Sequence, residues 1–548
     1  MLHDTDNLTT SLVKKLRAIV SLDANEARLL LVYAIVIGLL TLVIPITAQR
    51  LVTIVSFGTV IQPLFILGFI LFILLFSSGI TSILNAILVE NIQQHIFGLS
   101  ALKIAERLVY IRLDQLEEYR GTELVNRFFD VTTIQKNIGD LLLNGLGIII
   151  QSILGLLLLA IYHPLLIVFD LVFIVLLIIV LWWPWKKALK FALLESDAKY
   201  ALVAWLEEIA RLPTLFRFQS YENFALERAD DKVSAYLKAR QSHFTNMLYH
   251  IGGTYCIQIL ASTSLLLLGG LLVMSNQMTL GQLVAAEIIV NTLGIAVTKF
   301  GRYLEKIYDL LASAEKVDVL LRIKTEISNH QEKEILAAFT TPPHIEVRNL
   351  YLPNSSRTSA LSFTLIPGER ALILGKKGTG KSFLIRSLLN FNQQNQEKIF
   401  YNNCALIEYN LQSLRKNIVF ICGNQLFDGS ILDNLCLNHK NISSFRIRQL
   451  LLDFQLDRLI DQLEAGLKTN LKGLHLQLSS VEKQKLMFVR AILTDPVLLV
   501  LDEVLDYFAE NDLQIVLRQL LSSDRKWTVI ATSCREEIGQ YFQRNIFL

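Results

Sequence analysis

Before about residue 310 the chain is organised into apolar stretches with few or no charges, each long enough to cross about 30 Å of hydrocarbon as a helix. Nothing else in the sequence constrains the fold as strongly, because a backbone in lipid must satisfy its polar groups within the helix that bears them. We read six crossings. The first covers residues 29–49, between Arg28 and Arg50, and the second covers 62–86 within the uncharged run 51–89. The third covers 141–162 and the fourth 164–185, joined at His163 and Pro164. The fifth falls between Leu248 and Met274, and the sixth starts near Leu283 after Ser275, Asn276 and Gln277. Composition agrees: 52% of residues are hydrophobic and 18% charged, with a mean hydropathy of +0.44, more apolar than a soluble globular chain. Length alone, at 548 residues, suggests three or four domain-sized units. Disordered and collagen-like classes are excluded, and a net charge of +3 supplies no basic field for nucleic acid. The five cysteines have no C-x-x-C spacing, which fits a reducing compartment without a disulfide framework or zinc site.

Orientation follows from the positive residues. Lys14, Lys15, Arg17 and Arg28 precede the first crossing, and Lys186 and Lys187 follow the fourth, so the N-terminus and, by even parity, the C-terminal part are expected in the cytoplasm. Trp182, Trp183 and Trp185 mark the same interface. The expected location is the inner (plasma) membrane, multi-pass, in contact with lipid. Turns on the outer side are short, whereas residues 90–140 and 186–245 carry helical charge patterns and read as membrane helices continuing beyond the bilayer. The fold class is a multidomain membrane protein: an all-α six-helix transmembrane domain followed by a C-terminal α/β P-loop domain. The expected parts are a lead at 1–28, a transmembrane domain at 29–312, a linker at 313–343 and a nucleotide-binding domain at 344–548.

Gly375, Gly380, Lys381 and Ser382 satisfy G-x-x-x-x-G-K-[ST], with Gly378 and Thr379 inside the motif, after the strand-like residues 371–374 and before a helix-like segment. Such glycines let backbone N–H groups approach phosphate, a lysine pairs with the β/γ oxygens, and a serine hydroxyl holds Mg²⁺. A second apolar strand, 497–501, delivers Asp502 and Glu503 at its end, one carboxylate for Mg²⁺ and the next to polarise an attacking water. Together these residues describe a nucleoside triphosphatase.

With these motifs the chain resembles the ATP-binding-cassette exporters, in their half-size form with six membrane helices and one nucleotide-binding domain. The likeness covers nearly the whole chain. Residues 121–131 are similar to the family's first intracellular loop, 208–215 to its second coupling segment, and 278–285 to the start of its sixth helix. Leu478 and Ser479 open the segment where the family carries Leu-Ser-Gly-Gly-Gln, but Ser480, Val481 and Glu482 replace the rest. Cys534 stands in place of the switch histidine, Gly423 in place of the Q-loop glutamine with Gln425 nearby, and Ala509 in place of the D-loop aspartate. Tyr351 is the candidate for stacking on adenine.

The resemblance implies a dimer in which Ser479 acts on the opposite subunit's nucleotide. The partner is a second half-transporter, identical or different, and coupling runs through residues 118–127 and 210–218. A periplasmic adaptor is allowed on family grounds. MgATP binding is expected to be intact, with Lys381 and Glu503 catalytic, and hydrolysis to be slow. The alternative is a gated or regulatory membrane protein that binds ATP with little turnover. Only residues 1–28 precede the first crossing, so no N-terminal peptidase domain and no leader maturation are expected. The substrate is not legible: the membrane helices show no charge cluster that would select an ionic solute. Asp170, six residues into the fourth helix, reads either as a substrate or proton contact or as a solvated carboxylate near the outer interface.

Overall fold

The computed structural model of the protein describes residues 2–20, 23–56, 61–118, 121–218, 221–326, 339–352, 360–392, 395–437, 439, 442–472 and 478–548. They divide into two compact units, Met1–Ile111 with Glu118–Ile323, and Arg112–Glu117 with Lys324–Leu548.

The first unit is helical: α1 (Leu2–Ile19), α2 (Ala24–Thr41), α3 (Val43–Ser56), α4 (Gln62–Val109), α5 (Leu113–Glu118, most of it assigned to the second unit), α6 (Gly121–Asn126), α7 (Phe129–Asp140), α8 (Leu146–Tyr162), α9 (Pro164–Trp182), α10 (Trp185–Arg211), α11 (Tyr221–Met274) and α12 (Leu280–Arg322). Six helical segments among the described residues are long and apolar enough to cross a membrane. The first runs over Ala24–Ser56, beyond both ends expected for it. It is interrupted at Leu42 because Pro45 has no N–H to offer the carbonyl of Thr41.

Helix starts have local causes. Pro164 opens α9, and the extended His163 accepts a hydrogen bond on Nδ1 from the Leu165 amide at 3.2 Å. Thr279 opens α12 by exchanging hydrogen bonds with Gln282, so this crossing begins at Leu280, ahead of the expected Leu283. The fourth crossing stops at Trp182, short of Trp185, because Pro184 ends its ladder. The helix α12 passes residue 312 and ends at Arg322, and the two units divide after Ile323, so the first part of the expected linker is helical. Residues 327–338 of that linker lie outside the described residues.

Close approach explains two of the glycines: a Cβ on Gly253 would sit 2.6 Å from Val180, and one on Gly269 2.4 Å from Leu283. Their neighbours Gly252 and Gly270 have no such contact. Beyond the hydrocarbon, Arg240 on α11 donates to Glu195 on α10 and to Glu305 on α12, each at 3.2 Å, while His243 meets Glu195 at 2.7 Å. These charges tie the three helical extensions together. Asp170 is only 7% exposed and its Oδ1 has no partner, which corrects the solvated reading of that residue.

The second unit is α/β. Its central sheet has the order β6–β7–β8–β3–β9, all parallel, built from β3 (Arg370–Leu374), β6 (Ile418–Cys422), β7 (Leu498–Asp502), β8 (Thr528–Ser533) and β9 (Arg544–Phe547). An antiparallel sheet, β2–β1–β4–β5, joins β1 (Ile345–Leu350), β2 (Leu361–Leu365), β4 (Ile399–Tyr401) and β5 (Cys404–Ala405). The inner strands β3, β7 and β8 are almost wholly buried, as expected for parallel strands covered on both faces. After β3 comes α13 (Lys381–Leu388), and α14 (Leu411–Arg415) precedes β6. Between β6 and β7 lies a helical lobe of α15 (Ile431–Cys436), α16 (Ser444–Asp453), α17 (Asp457–Asp461) and α18 (Ser480–Leu493); α19 (Glu510–Leu520) follows β7.

Candidate functional site

The C-terminal ends of β3, β7 and β8 lie side by side, in the register Ile373 with Thr532 and Asp502 with Thr532. In an open α/β sheet this edge is where ligands bind. The loop from β3 to α13 carries Gly378 at φ +87° and Gly380 at φ +97°, values that a side chain disfavours. A Cβ on Gly375 would fall 2.6 Å from Thr379 Oγ1 and 3.2 Å from the Leu548 carbonyl, so the loop closes into a cradle that only glycine allows. Lys381, 3% exposed, folds back beneath this loop and donates to the carbonyls of Gly375 at 2.8 Å and Lys376 at 3.0 Å. First-turn N–H groups of α13 have no intrahelical acceptor and favour an anion.

The ammonium of Lys381 also lies 3.0 Å from Glu503 Oε1 and 3.3 Å from Cys534 Sγ. Burial works against its charge, but the hydrogen bonds and charges of Glu503 and Cys534 outweigh burial and hold its pKa above the ordinary 10.5. Ser382 Oγ donates to Asp502 Oδ1 at 3.2 Å, and Thr532 Oγ1 donates to the same oxygen at 2.9 Å. Glu503 has φ +55°, and its amide donates to Thr532 Oγ1 at 2.9 Å, so one hydroxyl on β8 orients both acids. Hard oxygens from Ser382 and Asp502 suit Mg²⁺. No group of three or more His, Cys, Asp or Glu residues forms a metal site among the described residues, so the other ligands would be phosphate oxygens and water, as Mg²⁺ prefers.

Lys381, Ser382, Asp502 and Glu503 therefore converge. Tyr351 does not join them; it is 61% exposed beyond β1, with the Lys398 ammonium 5.1 Å from its ring centroid. Its neighbour Leu352 lies near the loop, 3.2 Å from a Cβ built on Gly380. Ser479 is also elsewhere, capping α18. Its hydroxyl and its amide both donate to Glu482 Oε2 at 2.7 Å, and the Glu482 amide donates back to Ser479 Oγ at 3.2 Å. The Glu482 carboxylate is thus engaged by its own helix start, and Val481 packs onto the domain core. Gln425 turns its amide onto Cys422 Sγ at 3.4 Å, and Gln484 donates to the Gly423 carbonyl at 2.9 Å. Ala509 precedes α19 without a side-chain cap.

Two contributors escaped the sequence reading. Thr532 orients both acids, and Asp506 accepts hydrogen bonds from the Ser533 hydroxyl and, at 3.0 Å, from the Cys534 amide, which fixes where the thiol points. A polar residue at the end of an apolar strand was the available signal for Thr532. Its partner became visible only with the β7–β8 register.

Two profiles match the chain: the transmembrane region of ABC transporters over residues 28–297 and the ABC transporter nucleotide-binding domain over 358–506. The mitochondrial iron-sulfur clusters transporter ATM1 of Debaryomyces hansenii is 24% identical over 347 residues, 62% of this chain and 50% of that protein. The lactococcin-A transport/processing protein LcnC of Lactococcus lactis is 24% identical over 442 residues, 78% of this chain and 60% of its own length. A fatty acid ABC transporter ATP-binding/permease protein of Mycobacterium tuberculosis is 29% identical over 268 residues, 48% of this chain and 42% of that one. The matches thus span about half of these curated relatives. The solved structure of a bacterial Atm1-family ABC exporter with ATP bound superimposes with a TM-score of 0.82 at 19% identity, over 96% of this chain and 94% of that one, and so shares its fold. With a transmembrane region and a nucleotide-binding domain in one polypeptide, in half-transporter arrangement, the chain belongs to the ABC transporters.

Proposed function

We propose that this protein is an ATP-driven exporter subunit of the inner (plasma) membrane, with its nucleotide-binding unit in the cytoplasm, working as a dimer with a second half-transporter and hydrolysing ATP slowly. The observation that carries this reading is the convergence of Lys381, Ser382, Asp502 and Glu503 at one edge of the parallel sheet. Lys381 and the N–H groups of Gly378, Thr379, Gly380 and Ser382 bind and orient the phosphates. Ser382 and Asp502 would hold Mg²⁺, which would supply neutralisation of phosphate charge. Glu503 exchanges its ion pair with Lys381 for a hydrogen bond to the attacking water and accepts its proton. Tyr351 lies on the adenine side, and Ser479 serves the partner's nucleotide across the dimer. Closure of two nucleotide-binding units then switches the membrane helices between inward and outward access.

The slow rate rests on two observations. The Ser479 hydroxyl is committed to Glu482, and Cys534, a weak donor, stands beside Lys381 and Glu503. These same observations support a second reading, a membrane protein gated by ATP binding without turnover. Steady-state ATPase of the purified chain in lipid nanodiscs, beside Glu503→Gln and Lys381→Ala, separates the two. Turnover lost in both variants supports the exporter; nucleotide binding without turnover in the wild type supports gating.

A further inference from the structure

The membrane unit gathers a polar, cationic cavity that the sequence reading did not anticipate. It measures about 720 Å³, a size suited to one small organic ligand, and lies among α2, α4, α8 and α12. One wall is the face of α12 that carries Lys299, Arg302 and Lys306, spaced so that they share one side of the helix. These cations are not equivalent. Lys306 is paired with Asp140, whereas neither Lys299 nor Arg302 has an ion pair or hydrogen bond among the described residues. The facing wall carries the amides Asn85, Asn144 and Gln151. Asn85 is only 4% exposed and its Oδ1 has no partner, an omission that costs free energy unless a ligand supplies a donor. Ile37 and Ile148 add an apolar surface.

Depth matters as much as charge. Lys299 lies about 28 Å along α12 from Leu280, close to the full thickness of the hydrocarbon. Two cations with no ion pair among the described residues therefore stand at headgroup level, in the leaflet from which the long helical extensions emerge, while the apolar wall reaches into the acyl region. Both are exposed along this wall, so their charges are available to an incoming anion.

We propose that this cavity is the substrate site and that it selects an anionic amphiphile: an acidic headgroup held by Lys299 and Arg302, a hydrogen-bond donor facing Asn85 Oδ1, and an apolar body along Ile37 and Ile148. The assignment of a transported substrate rests on the exporter reading above; the anion selectivity of the cavity does not.

The test is binding, without ATP, of 11-(dansylamino)undecanoate and of its neutral methyl ester to the full chain in phosphatidylcholine nanodiscs, with empty nanodiscs subtracted. The expected result is about tenfold tighter binding of the acid than of the ester. That preference is lost in Lys299→Gln/Arg302→Gln and kept in Lys299→Arg/Arg302→Lys, which retains both charges and so separates charge from folding. Equal affinity of the wild type for acid and ester, or an undiminished preference in the double glutamine variant, overturns the proposal. Displacement by phosphatidylglycerol in the bilayer assigns the site to a leaflet lipid, displacement only by soluble octanedioate assigns it to a dissolved organic acid, and displacement by neither overturns it. A chain that prefers the acid but never hydrolyses ATP breaks the exporter reading and leaves the anion site standing; an active ATPase without the preference does the reverse.

Discussion

The phosphate loop and the segment that begins at Ser479 both lead into a helix N-terminus in the same domain, yet they use that position in opposite ways. At α13 the first-turn N–H groups lie behind a glycine cradle and the buried Lys381 reinforces their positive character. At α18 the corresponding region is neutralised from within, because Glu482 accepts from both the amide and the hydroxyl of Ser479. The first arrangement is open to a polyanion, whereas the second has already engaged the amide and hydroxyl of Ser479 and the amide of Glu482. Under the function proposed above, the first element is expected to hold nucleotide firmly within one chain and the second to close on it weakly across a dimer.

That contrast can be broken at several points. The largest effect is expected from Lys381→Ala, which should lower MgATP affinity by at least about 100-fold in calorimetry; affinity within tenfold of wild type would remove the phosphate loop from the argument. Next, Glu503→Gln should reduce turnover by about 100-fold while nucleotide affinity stays within a few fold, since a general base acts on the chemical step. On the other side, Glu482→Ala removes the acceptor, frees the Ser479 hydroxyl and should raise turnover about threefold, the worth of one hydrogen bond; an unchanged or lower rate would show that Glu482 is no restraint. Ser479→Ala should cost about 1 kcal/mol through loss of the α18 cap, read as a lower thermal midpoint.

The smallest effect concerns pH. The folded pKa of Lys381 is raised, so its pairing with Glu503 contributes stability that is complete below the unfolded value of 10.5 and is lost as pH rises through the folded value. The difference in thermal midpoint between wild type and Glu503→Gln should therefore be constant at neutral pH and shrink only above that range.

Much of this was legible from single segments. Uncharged apolar runs predicted the crossings, and their helices overlap all six expected positions. Their ends were less legible, because Thr279 with Gln282, and Pro184, set boundaries by capping and by a missing N–H that hydropathy does not register. The phosphate loop and the two acids were readable because each lies in one short stretch of chain. Thr532 and Asp506 were not, since their roles exist only once β7 and β8 are in register. Glu482 was legible only as a replacement within the family's Leu-Ser-Gly-Gly-Gln segment, whereas the capping geometry of α18 turns it inward. Asp170 looked peripheral by its distance from the helix end, yet packing buries it.

The sequence by itself determined which segments are long and apolar enough to cross a membrane and where the phosphate-loop motif lies, because hydrophobic transfer and such a motif both depend on residues close together in the chain. Only the tertiary structure decided which cations stay unpaired among the described residues. Lys306 finds Asp140 across the helices while Lys299 and Arg302 do not, and that difference arises from which helix faces pack together, a long-range outcome that spacing along α12 cannot reveal.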